Sequence, residues 1–283
     1  MSILSAVLSA VAAANVSAAV KVIFRKSMCS GGQARALLQY YHIAGALMLV
    51  SVFGFPAYSS MPTDVFWLLV ASSLCWTFGT LYRTKAYRDL EASETNIIGT
   101  LSLVLITAVA IVFFDESLSV LGIVGMVVIL LSIAAGTDIR QFRFRKSVRD
   151  LLVSVLLISS ALVIDRILTR ELPIAEIAVS TFLLPSVYFL LMDLKAARKL
   201  PQIISSGESS FFWAPLLGAV RTCFVLFALA HGSLAVTYAL LNTCVIFVFA
   251  YETVFLQLRE GRMRRGAYCL CCALGAVMVT AYG

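Results

Sequence analysis

The sequence predicts an all-α integral membrane protein whose ten transmembrane helices form two inverted five-helix repeats. Three observations lead to this fold class: ten apolar stretches, a composition too apolar for a soluble protein of this size, and a second half that repeats the helix pattern of the first. Of the 283 residues, 61% are hydrophobic and 13% are charged, and the mean hydropathy is +0.96. Each stretch has roughly 20 residues, enough to cross a hydrocarbon core of ~30 Å.

The ten stretches leave no gap that could hold a soluble domain. Those of the first half are Ser2–Phe24, Ala36–Pro56, Val65–Tyr87, Ala92–Phe114 and Ser117–Gly136. Those of the second half are Asp150–Leu168, Pro173–Met192, Phe211–Ala230, Ser233–Leu256 and Gly266–Tyr282. The first helix lacks a basic leader and a small-residue cleavage site, so we expect it to be retained. The predicted division is therefore a repeat over 1–138, a basic cytoplasmic linker over 139–149 and a second repeat over 150–283.

The net charge of +7 is explained by membrane topology. Lysines and arginines concentrate in the loops that follow the odd-numbered helices, and no separate basic module exists that would bind nucleic acid. Because cytoplasmic loops carry the positive excess, these loops are predicted to be cytoplasmic and both termini to lie outside. The predicted location is the plasma (inner) membrane, with membrane lipids as neighbours.

The two halves superpose when the chain is shifted by about 144 residues, and the shared helix pattern is what indicates an internal repeat. Several residues coincide in this alignment: Ala86 with Ala230, Leu90 with Leu234, Glu116 with Glu260, and Gly122 with Gly266. Because each half has an odd number of spans, the second half enters the membrane from the opposite side. Inverted repeats of this kind are typical of transporters, whose substrate site lies near the midplane between the halves.

The chain also resembles a known family over essentially its whole length. Residues 86–136 contain small residues, a long apolar run, the acidic pair Asp115-Glu116 and then Gly122, and residues 233–283 repeat that order with Arg259-Glu260 and Gly266. This resembles the EamA-type family of the drug/metabolite transporter superfamily. The resemblance implies ten helices, a transport function and a last helix of each half that lies away from the cavity. Two features depart from the family: the fourth helix of each half lacks its usual proline, and the charge bias places the termini outside.

Arg221 is the leading candidate for binding substrate, because it lies about ten residues into the eighth predicted helix, or ~15 Å deep at 1.5 Å per residue. A charge at that depth is costly and usually faces the bundle interior or a pathway. Gly218, one turn earlier, is expected to leave room beside the guanidinium, whose planar fork suits a carboxylate or phosphate. The alternative is a structural pair with Glu252, Asp165 or backbone carbonyls.

Hydroxyl side chains form one face of the third predicted helix, at Ser73, Thr77, Thr80 and Thr84. Their spacing of three and four residues predicts a polar stripe that lines a cavity, and Thr77 is expected to approach Arg221 across the repeat axis. The alternative is that these hydroxyls bond the carbonyls one turn earlier in their own helix. The fourth helix has a similar row at Ser93, Asn96 and Thr100.

Other polar and aromatic residues within the spans have either a substrate-binding or a structural role. The amides of Asn15 and Asn242, with Tyr238 one turn before Asn242, need hydrogen-bond partners that lipid does not supply, so they either bind substrate or join helices. Trp76 is either a stacking platform for substrate or a packing residue. We include all of them among the substrate-binding candidates.

Three ionisable residues are candidates for coupling or gating. His42 could change charge near neutral pH and Glu252 lies near the inner end of the ninth predicted helix, so both are candidates for proton coupling. Glu252 could instead pair with Lys21, Arg83 or Arg259. Asp165, next to Arg166 near the outer end of the sixth predicted helix, is either a gate or part of an interfacial ion pair.

The leading functional hypothesis is a secondary active transporter of a small anionic or zwitterionic solute, such as an amino acid or carboxylate, as a monomer or homodimer. The alternatives are an exporter of drugs or hydrophobic cations, and a transporter of lipid headgroups or polyprenyl lipids. We expect no enzymatic activity, because the sequence has no convergent nucleophile, base and acid. No cofactor or metal site is predicted, and the coupling ion, if any, would be a proton.

Overall fold

The regular structure of this protein is helical. The computed structural model describes residues 3–29, 34–116, 119–136, 146–193, 209–255 and 262–280, and none of these forms a β-strand. Within these ranges, eight helical segments are long and apolar enough to cross a membrane. The prediction of an all-α, multi-pass membrane protein is therefore confirmed at this level.

Among the described residues, the first half contains six helices: α1 (Ile3–Cys29), α2 (Ala34–Phe53), α3 (Thr63–Ala86), α4 (Ala92–Gly99), α5 (Leu101–Phe114) and α6 (Val120–Gly136). The second half contains α7 (Lys146–Glu171), α8 (Ile174–Met192), α9 (Ser209–His231), α10 (Leu234–Asn242), α11 (Cys244–Phe255) and α12 (Arg262–Thr280). A single 3₁₀ turn at Tyr58–Ser60 precedes α3. Each predicted span thus has a helical counterpart, although α1 ends five residues later and α7 begins four residues earlier than predicted.

Two of the ten predicted spans correspond to shorter apolar segments. These are Val120–Ser132 in α6 and Gly266–Val279 in α12, whereas the other eight reach spanning length. The predicted start of the fifth span at Ser117, the ends of the ninth and tenth at Leu256 and Tyr282, and linker residues 139–145 lie outside the described residues.

The fourth and ninth predicted spans are each interrupted once, which the sequence analysis did not foresee. The interruptions fall at Thr100, between α4 and α5, and at Thr243, between α10 and α11. The hydroxyl of each threonine donates to the carbonyl three residues earlier, Ile97 in one case and Leu240, at 2.7 Å, in the other. A hydroxyl that competes for a backbone carbonyl in this way tightens the helix locally and breaks its regular bonding.

The two interrupted spans are joined end to end by carboxylates. Glu252, near the end of α11, accepts hydrogen bonds from the backbone amides of Ala92 (2.7 Å) and Ser93 (2.9 Å) at the start of α4. Glu116, just after α5, accepts them from Leu234 (2.7 Å) and Ala235 (3.0 Å) at the start of α10. Each carboxylate therefore supplies acceptors for amides that lack partners within their own helix. Its negative charge is also stabilised by the positive end of the helix dipole.

Helices of the first half pack mainly against helices of the second half. α1 packs on α9 and α3 packs on α7, while α2 packs on α8 and α6 on α12. The outer surface is apolar, with large side chains exposed on many helices, including Leu8, Phe53, Phe113, Leu131, Leu156, Leu191 and Val254. An apolar surface of this extent is what a lipid-facing protein presents.

The contact between α6 and α12 is a backbone-to-backbone contact made possible by glycine. A methyl group at Gly125 would lie 2.5 Å from the carbonyl oxygen of Gly275, and one at Gly275 would lie 2.6 Å from the carbonyl oxygen of Gly125. These two helices therefore form a close pair, as small residues permit in membranes.

Replacing Gly125 with alanine is expected to destabilise the protein, because the atom that the new methyl group meets is backbone and cannot move aside as a side chain can. The expected loss is about 1–3 kcal/mol, the usual cost of overpacking. Thermal unfolding in detergent measures it. Leu274→Ala, at a position of α12 exposed to lipid, should have a much smaller effect, and an equal effect of the two substitutions would contradict the packing argument.

Candidate functional site

A small polar cavity of about 30 Å³ lies among the helices of the bundle. Its walls come from α1, α3, α4, α7, α9, α10 and α11. The polar side chains that line it are Ser17, Lys21, Arg83, Asn96, Arg221, Tyr238, Asn242 and Cys244, together with Gly99 and the apolar residues Ile158, Leu162 and Leu241. A volume of this size admits one or two water molecules, so in this conformation the helices are packed closely around these polar groups.

The cavity lies at the level of the two helix interruptions. Asn96 and Gly99 come just before the break at Thr100, and Leu241 and Asn242 come just before the break at Thr243. Irregular backbone at membrane depth is tolerated where it lines a cavity. The local chemistry of two threonines therefore places the wall of the site within two otherwise continuous spans.

Arg221 lies at the centre of α9, the thirteenth of its 23 residues and so about 18 Å from its start. Its Nε atom is buried and has no hydrogen-bond partner, and its guanidinium lies 5.6 Å from the ring centroid of Trp76. A cation over an indole face is attracted by the ring's negative face. The room that Gly218 was expected to leave beside Arg221 is taken by Tyr41, since a methyl group at Gly218 would overlap the Tyr41 ring.

Two further cations line the same cavity. Lys21 lies eight residues before the end of α1, about 12 Å along the helix, and its ammonium donates to Asn96 Oδ1 and to Cys244 Sγ (3.0 Å). Arg83 lies near the end of α3, and its Nε is buried without a partner. Both residues come from the membrane side at which α1 and α3 end and α4 begins, which we call the basic side.

These three cations have no carboxylate partner within the described part of the chain. The one ion pair found there is Arg35–Asp193, at 3.5 Å, and neither residue lines the cavity. Charges at membrane depth are expensive and normally paired. The arrangement is therefore electrostatically incomplete, and an anion in the cavity would complete it.

A second small cavity of about 40 Å³ adjoins the first, and Arg221 lines both. Its walls are more aromatic and include Tyr41, His42, Trp76, Thr80, Asp165 and Phe182. Asp165 accepts hydrogen bonds from Ser72 Oγ (2.5 Å) and Trp76 Nε1 (2.8 Å). Trp76 thus bonds Asp165 through its edge while its face supports Arg221.

The hydroxyl groups of the α3 stripe bond mainly to backbone carbonyls one turn earlier in their own helix, as in the structural alternative. Thr77 donates to the carbonyl of Ser73 (2.6 Å) and Thr80 to that of Trp76 (2.7 Å), and both Ser73 and Thr77 are buried. Only Thr80 of these lines a cavity, the second one. Trp76 is the α3 residue whose ring lies beside Arg221, and Thr77 lines neither of the two cavities that Arg221 lines.

The amide candidates divide between the two roles that the sequence left open, joining helices and lining the binding cavity. Asn15 accepts a hydrogen bond from the Tyr251 hydroxyl (2.7 Å) and so joins α1 to α11 outside either cavity. Asn96 and Asn242 line the central cavity, and their amide groups donate to the carbonyls of Ala92 and Tyr238 in their own helices. Tyr238 also lines it, and its hydroxyl lies 2.5 Å from Ser102 Oγ.

The three coupling or gating candidates do not share one site. His42 is buried against Phe182 and Phe189 at the second cavity, and neither ring nitrogen has a partner. Glu252 is buried at the start of α4 and binds backbone amides instead of Lys21 or Arg83; Arg259 lies outside the described residues. Asp165 faces the second cavity and does not pair with Arg166, which donates to the Leu229 carbonyl.

Lys21 and Arg83 are charged residues of the cavity that were expected only as possible partners of Glu252, not as binding residues. Lys21 had a usable signal, because it lies too far from the end of its helix for an ordinary loop cation. Arg83 had none, because three residues from a helix end is an ordinary position for an interfacial arginine.

Comparisons with known proteins bear on the fold alone. No protein-family model matches the chain, and no curated protein matches it. One solved structure, described only as a crystal structure of a protein, is similar with a TM-score of 0.67 and 15% sequence identity. The similarity covers 99% of this chain and 98% of that one. The helical arrangement is therefore one that occurs in an experimentally solved protein.

Proposed function

We propose that the protein is a secondary active transporter of a small organic anion, such as a carboxylate or an acidic or zwitterionic amino acid. The observation that carries the proposal is the central cavity, where Arg221, Lys21 and Arg83 converge and no carboxylate of the described residues pairs with them. Electrostatic complementarity makes such a cavity attract an anion and repel a cation. Its position deep in a helix bundle favours transport across the membrane over catalysis.

The ten-helix, inverted-repeat architecture belongs to this proposal, with repeats over 1–138 and 150–283. The helix contacts support it: exchanging the two halves maps the α1–α9 contact onto α7–α3, the α2–α9 contact onto α8–α3, and the α1–α11 contact onto α7–α5. The α2–α8 and α6–α12 contacts map onto themselves. Contacts that occur in such pairs are expected of two similar units related by an axis between them.

The two carboxylate caps supply an element that alternating access requires. Glu252 ties α11 to α4 at the basic side, and Glu116 ties α5 to α10 at the opposite side. Each cap ties one helix end to the start of a helix that lines the cavity, through one pair of hydrogen bonds. Opening one side would break its own cap and leave the other in place, so that the cavity is exposed to one side at a time.

The family and membrane assignments also remain part of the proposal. The resemblance to EamA-type transporters fits a two-repeat anion carrier in the plasma (inner) membrane with the basic side facing the cytoplasm. Accessibility of a terminal tag only from the cytoplasm would contradict that orientation.

The alternative functions receive less support. A drug exporter needs acidic residues at its cation site, but Asp165 faces a cavity that Arg221 also lines. A lipid transporter needs a lateral opening into the polar site. The large apolar groove of about 780 Å³ between α5 and α7 shares no lining residue with the central cavity.

A thermal-shift screen of the purified protein tests the proposed function. Carboxylates, phosphorylated metabolites, amino acids and organic cations are added singly. A ligand that binds the native state raises the free energy of unfolding, by about 2.7 kcal/mol at a hundred times its Kd, and the melting temperature rises with it. We expect anions to stabilise and organic cations to have no effect. Stabilisation by cations alone would overturn the proposal.

A further inference from the structure

We propose that the transported solute is a dianion, and that Lys21 and Arg83 select it over monoanions. This inference rests on the proposed function, because it names the charge class of solute for the same cavity. Chemically, the class comprises phosphate monoesters and dicarboxylates, which share two negative charges within a small volume.

The first argument is a count of charge around the central cavity. Lys21, Arg83 and Arg221 contribute three positive charges to its wall. One carboxylate, Asp165, lies behind Arg221 and is bridged to it by the Trp76 indole. Among the described residues, three cations and one adjacent carboxylate leave two positive charges, which a dianion neutralises and a monoanion does not.

Glu252 does not alter this count. Its carboxylate accepts hydrogen bonds from the amides of Ala92 and Ser93 at the positive end of α4, about one turn before the cavity residue Asn96. That end of the helix already balances part of its charge. Glu252 is also absent from the cavity wall.

The second argument is the supply of free donors. Arg83 and Arg221 each have a buried Nε without a partner, so both guanidinium groups retain unused donors for an oxyanion. Lys21 has three ammonium donors, of which Asn96 and Cys244 accept two. One donor therefore remains on Lys21, beside two arginine forks suited to carboxylate or phosphate oxygens.

The third argument is position. Arg221 comes from the centre of α9, whereas Lys21 and Arg83 come from helices that end at the basic side. A solute that reaches all three must present negative charge toward both the midplane and the basic side. A dicarboxylate does this with its two ends, and a phosphate monoester does it with the three oxygens of one group.

The test compares matched ligands on matched variants. Apparent dissociation constants are measured by thermal shift for succinate, for butyrate as its single-carboxylate analogue, and for glycerol phosphate and inorganic phosphate. The variants are Lys21→Gln, Arg83→Gln and Lys21→Arg. Arg88→Gln removes an exposed cation at the end of α3 that lines neither internal cavity, and serves as the control for net charge.

We expect at least one of the dianions to bind ten-fold or more tightly than butyrate. Lys21→Gln and Arg83→Gln should each weaken that dianion ten-fold or more and butyrate by less than three-fold, while Lys21→Arg restores binding and Arg88→Gln changes neither. Preference for succinate or for the phosphates identifies which dianion class the cavity fits. If Lys21→Gln does not fold, Arg83→Gln and Lys21→Arg carry the same comparison.

Two other outcomes separate the failure of this inference from that of the proposed function. Equal binding of butyrate and the dianions, or parallel weakening of both by Lys21→Gln, overturns the dianion assignment and leaves an anion transporter. Absence of binding by every anion to folded wild-type protein overturns the proposed function itself, and the dianion assignment with it.

Discussion

Replacing Arg221 with glutamine is expected to abolish anion binding and uptake while leaving membrane insertion normal. The guanidinium is the cation nearest the middle of the membrane, and it lines both internal cavities. Glutamine removes its charge and its paired donors but keeps much of its stem. Losing a charged hydrogen-bonding group that faces a ligand typically costs about 2–5 kcal/mol of binding, so we expect affinity to fall by about 1.5 to 3.5 orders of magnitude.

Uptake of a radiolabelled anion into proteoliposomes, together with a thermal-shift titration, measures this effect. Arg221→Lys keeps the charge but loses the planar fork, and should recover only part of the binding. The control is Cys271→Ala, at an exposed position of α12. Wild-type uptake by Arg221→Gln, or loss of uptake in Cys271→Ala, would move the binding site away from the central cavity.

Replacing Glu252 with alanine is expected to lower the stability of the protein by more than replacing Glu116 does. Glu252 is 2% exposed, and its two oxygens accept the amides of Ala92 and Ser93. Alanine would leave both amides without these acceptors in a medium that supplies none. A hydrogen bond to a charged group contributes about 1.5–3 kcal/mol, so we expect a loss of about 2–4 kcal/mol, since neighbouring groups relax in part.

The matched variant is Glu116→Ala, which removes the corresponding cap at the opposite side. Glu116 is more exposed than Glu252, so water can replace part of its bonding and the melting temperature should fall less. Glu252→Gln keeps one acceptor oxygen and should lie between wild type and Glu252→Ala. An unchanged melting temperature in Glu252→Ala combined with loss of transport would contradict the capping role and return Glu252 to ion coupling.

The positions of the helices followed from the sequence because lipid imposes a simple rule. Every backbone polar group must be satisfied within its own helix, so a membrane-spanning helix needs a long apolar run that is easy to recognise. The eight spanning segments, including the one that contains Arg221, are recognisable in this way. The interruptions at Thr100 and Thr243 were not, because a threonine within an apolar run is common and only local geometry decides whether its hydroxyl breaks the helix.

The site itself could be predicted only in part. Arg221 was identifiable from its depth alone, since the cost of a charge at the midplane does not depend on which residues surround it. Asn96, Tyr238 and Asn242 were identifiable as polar groups at depth, but the same reasoning admitted Asn15, which joins α1 to α11. Depth shows that a polar residue needs a partner, but it does not show whether that partner is another helix or a ligand.

The sequence by itself determined that this chain is a helical, multi-pass membrane protein, where eight helical segments of spanning length lie, and that Arg221 lies within one of them. These properties depend on hydropathy along one helix at a time. Only the tertiary structure showed that Lys21 and Arg83 join Arg221 in one cavity, that Asp165 lies behind Arg221 across Trp76, and that Glu252 binds the start of α4. The three cations lie on three different helices, and residues far apart in the chain are brought together only by helix packing.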